Sequence, residues 1–208
     1  MSLIECTQAP AEFREFSKIG RLSREIIVTE KIDGTNAQVL ITEDGRIFFG
    51  SRTRWITPAD DNFGFARWAT EHTEEIMKLG VGRHYGEWWG SGIQRGYGLP
   101  KGERRFSLFN VSRWCMHGQE PAVIATQDPR IAKVQDVLPG CVGLVPILYR
   151  GIFSEEAIER CLEVLRLRGS YAAPNWMNPE GVVVFHTSNG ALFKKTLEHD
   201  DVPKSKIK

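Results

Sequence analysis

The segment that could do chemistry most directly is residues 30–36, which read EKIDGTN. It follows an apolar, β-branched run at residues 26–30, so Lys31 stands at the end of a predicted strand. A lysine there can act as a covalent nucleophile if its amine is neutral, a state favoured by desolvation or by neighbouring cations such as a bound metal. Gly34 permits a positive φ or a close approach of the backbone to a ligand. Taken alone, the same residues also fit a strand–turn–strand with an exposed lysine.

Two glutamates further along the chain have apolar neighbours. Glu87 lies within the predicted strand at residues 85–89, where a carboxylate is costly unless it is paired or binds a metal or a hydroxyl. Glu180 precedes the apolar run at residues 181–185, a position that suits a half-buried metal site. Both carboxylates suit a hard cation such as Mg²⁺ or Mn²⁺. The simpler alternatives are an ion pair between Glu87 and Arg83 and a turn carboxylate at Glu180.

Several cations could balance phosphate charge near these glutamates. Arg52 and Arg54 follow a predicted hairpin, and two arginines two residues apart on a strand face the same side, so either or both could reach a phosphate. Lys194 and Lys195 lie in the last predicted strand, where adjacent residues point to opposite faces. The loop at residues 91–99, SGIQRGYGL, is polar and cationic. It could cover a nucleotide, grip RNA or be a plain surface loop.

Turn residues and hydrophobic periodicity define the elements that must position these side chains. Asp44-Gly45 and Asn189-Gly190 are strong hairpin signals, each between two apolar runs. Apolar residues at helical spacing predict a first helix over residues 65–79 and a second helix after Ser154, which can cap it. Strands outnumber helices, which predicts an α+β fold of largely antiparallel sheets flanked by helices. The predicted strands are residues 26–30, 37–42, 46–50, 85–89, 106–111, 144–149, 181–187 and 191–197.

Composition places the chain among ordinary globular proteins. It has 208 residues, a formal net charge of +1 and 41% hydrophobic residues, which suits one domain over residues 1–208. The balanced charge excludes a strongly basic nucleic-acid-binding tail and leaves room for a local basic groove. No run of about 18 apolar residues indicates a membrane span, and the N-terminus lacks a secretory signal. Four scattered cysteines predict free thiols in a cytoplasmic protein, and we expect a monomer whose residues 199–208 form a flexible tail.

The residues KIDGTN at positions 31–36 resemble motif I of the covalent nucleotidyltransferases. That superfamily includes ATP-dependent DNA ligases, RNA ligases and mRNA capping enzymes. DNA ligases and capping enzymes usually have arginine where this sequence has Asn36, so the resemblance is to the RNA ligase 2-like enzymes. Further motifs of that family have counterparts in the same order up to residue 196. The matching positions are Arg52 for motif Ia, Glu87 for motif III, Phe109 for motif IIIa, Glu180 for motif IV, and Lys194 with Lys195 for motif V.

The resemblance implies an ATP-dependent RNA ligase with an ATP-grasp-like α+β nucleotidyltransferase fold. Since only about a dozen residues follow motif V, no OB domain is expected. Lys31 would attack the α-phosphate of ATP to form lysyl-AMP, AMP would pass to an RNA 5′-phosphate, and a 3′-hydroxyl would attack to form the phosphodiester. The implied catalytic residues are Lys31, Glu87, Glu180 and Lys194, with Glu87 and Glu180 also holding Mg²⁺ or Mn²⁺. The residues implied to bind the nucleotide are Glu30, Lys31, Asp33, Gly34, Asn36, Arg52, Glu87, Phe109, Glu180, Lys194 and Lys195.

Two motifs leave a choice between neighbouring residues. Phe109 is the aromatic residue implied to stack on adenine, with Phe106 as the second choice, and either ring also fits a core position. The family often has aspartate where this sequence has Asn110. Motif V usually spaces its lysines two residues apart, whereas here they are adjacent. We therefore expect Lys194 to face the α-phosphate and Lys195 to point outwards.

The expected partner is RNA with nicked or single-stranded ends, without any membrane association. Phosphate contacts dominate binding to nucleic acid, so cationic side chains near the site are the candidates. Two alternatives remain open: a capping-type guanylyltransferase that uses GTP, and a non-catalytic RNA-binding module with the same fold. The candidate phosphate contacts are Arg83, Arg95, Lys101, Arg104 and Arg105.

Overall fold

The computed structural model describes residues 12–121, 123, 130–131 and 133–201. The strands are β1 Glu25–Lys31, β2 Thr35–Ile41, β3 Ile47–Gly50, β4 Trp55–Ile56, β5 Gly82–Gly90, β6 Arg104–Leu108, β7 Trp114–Cys115, β8 Asp136–Val137, β9 Val142–Leu144, β10 Ile147–Ile152, β11 Gly181–His186 and β12 Ala191–Thr196. The α-helices are α1 Phe65–Glu71, α2 Thr73–Ile76 and α3 Glu155–Arg168, with 3₁₀ turns at Met77–Leu79 and Gly96–Gly98.

Two main sheets organise the molecule. The six-stranded sheet has the order β4-β3-β2-β5-β6-β9 and the four-stranded sheet the order β10-β1-β11-β12. All their strand pairs are antiparallel except β6 with β9, while β7 and β8 form a small parallel pair. The predicted α+β class with largely antiparallel sheets is confirmed. Both predicted hairpins are present, with Gly45 and Gly190 at positive φ in the turns.

Three differences between the predicted and observed boundaries affect the elements around the site. The first helix is divided into α1, α2 and a 3₁₀ turn, and the Thr70 and Thr73 hydroxyls there bond to backbone carbonyls, a competition that weakens helices. The predicted strand at 144–149 is two strands, because Pro146 interrupts it without an N–H to donate. Strand β6 ends at Leu108, so Phe109 lies beyond it.

Three buried clusters show how the helices and sheets pack. One joins the six-stranded sheet to α1 and α2, and another joins the four-stranded sheet to α3, so helices flank the sheets as predicted. The third cluster includes Ile27 of β1, Trp89 of β5 and Tyr97, and it lies where the inner faces of the two sheets meet. Among the described residues, no helix is both long and apolar enough to cross a bilayer.

The predicted tail is described only in part. Asp200 accepts hydrogen bonds from the Thr196 backbone and hydroxyl, so the chain remains attached to the end of β12 up to that point. Residues 202–208 of the predicted tail lie outside the described residues.

Candidate active site

Lys31 is the last residue of β1, and its amine contacts a carboxylate from the neighbouring strand. Lys31 Nζ lies 2.6 Å from Glu180 Oε2. The register of β1 and β11 places Lys31 opposite Gly181, so Glu180 arrives at the same end of the sheet. The lysine side chain is 23% exposed and the glutamate 6%, which keeps the amine reachable beside a buried acid. The structure thus brings together the candidate nucleophile and a candidate metal-binding carboxylate.

Glu87 lies on β5 of the other sheet and faces the same space. Its carboxylate accepts hydrogen bonds from Gly34 N at 3.0 Å and from Asn36 Nδ2 at 3.1 Å. Burial raises the pKa of Glu87 to about 7, and the charge of Glu180 adds to this rise. The charge of Lys31 and the two hydrogen bonds act in the opposite direction. Lys31, Glu87 and Glu180 therefore form one electrostatically coupled group.

Gly34 allows the turn after β1 to lie against β5. A Cβ atom there would stand 2.4 Å from the Trp88 carbonyl oxygen and 2.7 Å from Trp89 Cβ. Gly34 is not among the residues with positive φ. The glycine is therefore needed for close approach to a neighbouring strand rather than for a positive φ, while the predicted approach to a ligand stays a prediction.

The loop at 91–99 holds the turn after β1 against the segment before β11. Arg95 Nε lies 3.2 Å from Asp33 Oδ2, and Arg95 Nη1 donates to Asn178 O at 3.1 Å and to Asn178 Oδ1 at 2.6 Å. The Tyr97 hydroxyl accepts a hydrogen bond from Asp33 N at 2.8 Å. Arg95 and Asp33 thus face each other and brace the site, while the RNA contact predicted for Arg95 and the nucleotide contact implied for Asp33 stay predictions.

Glu30 has a structural role that the resemblance did not imply. Adjacent strand residues point to opposite faces, so Glu30 lies on the other side of the sheet from Lys31. Its carboxylate accepts hydrogen bonds from Ser170 Oγ at 2.5 Å, Tyr171 N at 2.8 Å and Ala172 N at 3.0 Å. Burial raises the pKa of Glu30 while these bonds oppose the rise. Glu30 therefore holds the turn after α3 in place, and its implied nucleotide contact stays a prediction.

The strand register separates the two lysines of β12. Lys194 is paired with Val183, which is paired with Thr29, so Lys194 and Thr29 lie on the same face of the sheet. Lys31 is two residues after Thr29 and therefore shares that face. Lys195 lies on the opposite face, where its amine pairs with the Glu159 carboxylate of α3. Lys195 thus points away from Lys31, as expected, while the nucleotide contacts implied for both lysines stay predictions.

The two phenylalanines of motif IIIa differ sharply in exposure. Phe106 is 1% exposed and packs against Phe65 with ring centroids 4.9 Å apart, so it belongs to the core. Phe109 is 42% exposed and its backbone N donates to the Tyr85 carbonyl at 3.0 Å. Only Phe109 of these two rings is accessible to a purine.

The arginines of motif Ia lie in a turn between β3 and β4. Arg52 is exposed there, and the Arg54 guanidinium pairs with the Asp60 carboxylate. The prediction that both residues share a strand face is wrong, because residues 51–54 bend rather than extend. Of the two, Arg52 remains the candidate for a phosphate.

The remaining candidate phosphate contacts divide into surface and structural residues. Arg104 donates to the carbonyls of Ser91 at 3.1 Å and Phe63 at 2.6 Å, so its role is to join loops. Lys101 and Arg105 are exposed, and the Arg105 guanidinium also lies 5.6 Å from the centroid of a tryptophan ring. Arg104 is therefore less available to RNA than the sequence suggests.

Sequence reasoning did not identify the buried residues that brace the site. Tyr97 is 2% exposed, adopts a positive φ of 52°, and contacts the rings of Trp89 and Trp176. The glycines that flank it were a usable signal, since they make such a backbone conformation accessible. Ser170 carries no comparable signal, because its bond to Glu30 spans 140 residues.

The carboxylates fit a metal ion that binds together with phosphate groups. Over the described residues, no group of three or more His, Cys, Asp or Glu side chains could hold a metal alone. Magnesium is commonly held by one or two carboxylates plus substrate phosphates and water. Glu87 and Glu180 supply that smaller donor set beside Lys31.

Comparison with known proteins agrees with this geometry. Three similar structures are mutants of the RNA ligase of Naegleria gruberi: an apo form (20% identity, 84% of this chain, 50% of that chain, TM-score 0.51), a form with ATP and Mn (20%, 85%, 51%, 0.51) and another apo form (21%, 87%, 53%, 0.51). This chain thus spans about half the length of those proteins. No curated protein sequence matches it significantly. The family model for RNA ligase matches residues 24–196, from β1 through the end of β12, and the chain belongs to the RNA ligase family.

Proposed function

We propose that the protein is an ATP-dependent RNA ligase whose nucleophile is Lys31. The observation that carries this proposal is the 2.6 Å contact between Lys31 Nζ and Glu180, with Glu87 coupled to both from the facing sheet. Membership of the RNA ligase family supports it, as does the binding of ATP and Mn by a Naegleria gruberi ligase mutant of similar fold. A lysine amine beside two buried carboxylates is an arrangement that supports adenylyl transfer.

In the first step, the neutral amine of Lys31 attacks the α-phosphate of ATP. A nitrogen–phosphorus bond forms, the bond to pyrophosphate breaks, and the amine loses a proton to water. Lys194, on the same sheet face, and exposed Arg52 are the cations proposed to balance phosphate charge. Positioning and charge neutralisation supply most of the acceleration in such transfers.

Divalent metal is proposed to bind at Glu87 and Glu180 along with the nucleotide. When bound, Mg²⁺ or Mn²⁺ would neutralise phosphate oxygens and assist the departure of pyrophosphate. The two carboxylates come from different sheets, so they can approach the nucleotide from both sides. Phe109, whose backbone bonds to Tyr85 two residues before Glu87, is the exposed ring proposed to stack on adenine.

The later steps use RNA as substrate. AMP passes from Lys31 to an RNA 5′-phosphate, and a 3′-hydroxyl then displaces AMP to seal the strand. We further propose that the protein repairs RNA in the cytoplasm, for which the free thiols of Cys115, Cys141 and Cys161 are supporting observations.

The direct test is intact-mass measurement after incubation with Mg²⁺ and either ATP or GTP. The expected result is addition of one AMP, mapped to Lys31 by peptide analysis and absent in Lys31→Ala. Lys78→Ala, an exposed lysine near the helices, is the matched control and should be labelled like wild type. Labelling from GTP alone would favour a capping-type enzyme. Absence of labelling with every nucleotide and metal would favour a non-catalytic RNA-binding module.

A further inference from the structure

Exposed aromatic rings and arginines cover one end of the six-stranded sheet, on the face that carries Glu87. The register pairs Leu40 with both Phe48 and Arg83, and Gln38 with both Gly50 and Tyr85. Gly50 is in turn opposite Trp55. Directly paired residues share a face. We call the set formed by Phe48, Trp55, Arg46 and Arg83 the aromatic platform.

The aromatic platform is continuous with the candidate active site. Along β2, Gln38 is two residues from Asn36, whose side chain bonds to Glu87. Two residues of a strand span about 7 Å, so the row containing Trp55 lies next to the row containing Glu87. A polynucleotide held at the site can therefore extend onto the platform.

The platform rings remain accessible although they pack together. Trp55 is 49% exposed and Phe48 is 37% exposed, with centroids 5.9 Å apart and ring planes inclined at 52°. Adjacent exposed aromatic rings bordered by charged residues are typical of interaction surfaces. Their open areas offer π surfaces to nucleobases, and every base has such a surface.

Arginines accompany both rings. The Arg83 guanidinium lies 5.2 Å from the Trp55 centroid, and the Arg46 guanidinium lies 5.5 Å from the Phe48 centroid. Arg83 also donates a hydrogen bond to the Gln38 side-chain oxygen. Because glutamine is neutral, this bond does not neutralise the positive charge of Arg83. Guanidinium groups stack on bases and bind phosphate oxygens. The platform therefore combines the two groups that unpaired nucleic acid requires.

We propose that the aromatic platform binds unpaired RNA nucleotides next to the end that is joined. The proposal rests on the RNA ligase function proposed above and adds the form of the substrate to it. A duplex hides its bases within the stack and shows phosphates and groove edges, so the two rings would find no base face. Unpaired nucleotides can present base faces to Trp55 and Phe48 while their phosphates reach Arg83.

The test compares single-stranded and duplex RNA binding by fluorescence anisotropy without ATP. The probe is a labelled single strand of about 12 nucleotides, within the site size of known single-strand binders. Trp55→Ala is expected to weaken binding by about 5- to 100-fold, and Trp55→Phe should restore most of it. Phe193→Ala removes a phenylalanine that is 58% exposed on β12 of the other sheet, and it should leave binding unchanged.

A second variant tests the charge. Arg83→Gln should reduce the slope of log Kd against log salt by about 0.7 for one lost phosphate contact on a single strand. Trp55→Ala should weaken binding to a blunt duplex of the same sequence by less than about twofold, because stacking is absent there. Circular dichroism and thermal melting of both variants check that the fold is intact.

Two results would overturn the proposal. One is unchanged single-strand binding in folded Trp55→Ala. The other is equal loss for single strand and duplex, which would assign the ring to a contact that does not involve bases. Failure of the ligase proposal is separate, because it is read from AMP labelling of the wild-type protein without RNA. A protein that binds single strands through Trp55 but takes no AMP would keep the platform and lose the ligase assignment.

Discussion

Replacing Glu87 with glutamine is expected to stabilise the protein at alkaline pH while removing its proposed activity. The Glu87 carboxylate is 8% exposed, and burial raises its pKa from 4.5 to about 7. The folded protein therefore holds this proton more tightly than the unfolded chain does. As pH rises from 4.5 through 7, the free energy of unfolding falls, because the folded state increasingly contains an ionised buried carboxylate.

The difference between pKa values of 4.5 and about 7 corresponds to about 3 kcal/mol of unfolding free energy above pH 8. Below pH 4.5 the penalty is absent because both states are protonated. Glutamine keeps an oxygen for Gly34 N, but its NH₂ faces Asn36 Nδ2, so the asparagine amide must turn. The loss of unfolding free energy from this rearrangement is the same at every pH. The increase in unfolding free energy from removing the buried charge grows as pH rises.

The assay is urea denaturation of wild type and Glu87→Gln at several pH values between 4.5 and 8.5. We expect the variant's stability relative to wild type to rise by about 3 kcal/mol across this range. Glu163→Gln, which removes an exposed carboxylate on α3, should differ from wild type by no more than about 0.5 kcal/mol throughout. A flat or falling difference for Glu87→Gln would refute the burial argument. AMP labelling should be lost, since the amide is a poor metal ligand.

Three further predictions concern residues that position or neighbour the proposed nucleophile, Lys31. Arg95→Ala should lower unfolding free energy by about 2–3 kcal/mol and reduce AMP labelling, while exposed Arg105→Ala should cost less than about 1 kcal/mol in the same denaturation assay. Lys194→Ala should reduce the rate of AMP labelling at least tenfold, while Lys195→Ala should leave it within about twofold, as measured by mass spectrometry. Gly34→Ala should destabilise by about 2–4 kcal/mol in urea because its Cβ meets β5 backbone, and a stable variant would contradict that contact.

Local sequence signals predicted the strands better than their arrangement. Asp44-Gly45 and Asn189-Gly190 specify their hairpins because the turn conformation depends on the residues in the turn. The division of strands into two sheets depends on contacts between distant segments, which periodicity does not encode. The contact between Lys31 and Glu180 spans 149 residues, and only the resemblance to a family placed these two together.

Side-chain orientation in the site could be predicted where it follows from strand alternation, and could not where it depends on tertiary contacts. Lys194 was chosen over Lys195 by strand alternation, a local rule that the register obeys. The same rule, applied to β1, would have separated Glu30 from Lys31. Arg95 was a candidate RNA contact because it is a cation in a polar loop near the site, and in the structure it pairs with Asp33. The position of this loop depends on contacts between segments that are distant in the sequence, and local sequence patterns do not predict such contacts.

Glu180 has two proposed partners that it cannot serve fully at once. Its Oε2 lies 2.6 Å from Lys31 Nζ, an ion pair in which the lysine is an ammonium and not a nucleophile. The proposed reaction also asks the Glu180 carboxylate to bind divalent metal. Both requirements would be met in turn if Glu180 turned from Lys31 to hold metal entering with ATP while the ammonium released its proton to water, a release that the positive charge of the metal would favour. The ion pair then represents the resting arrangement of the site, and nucleotide with metal would convert it to the reactive one.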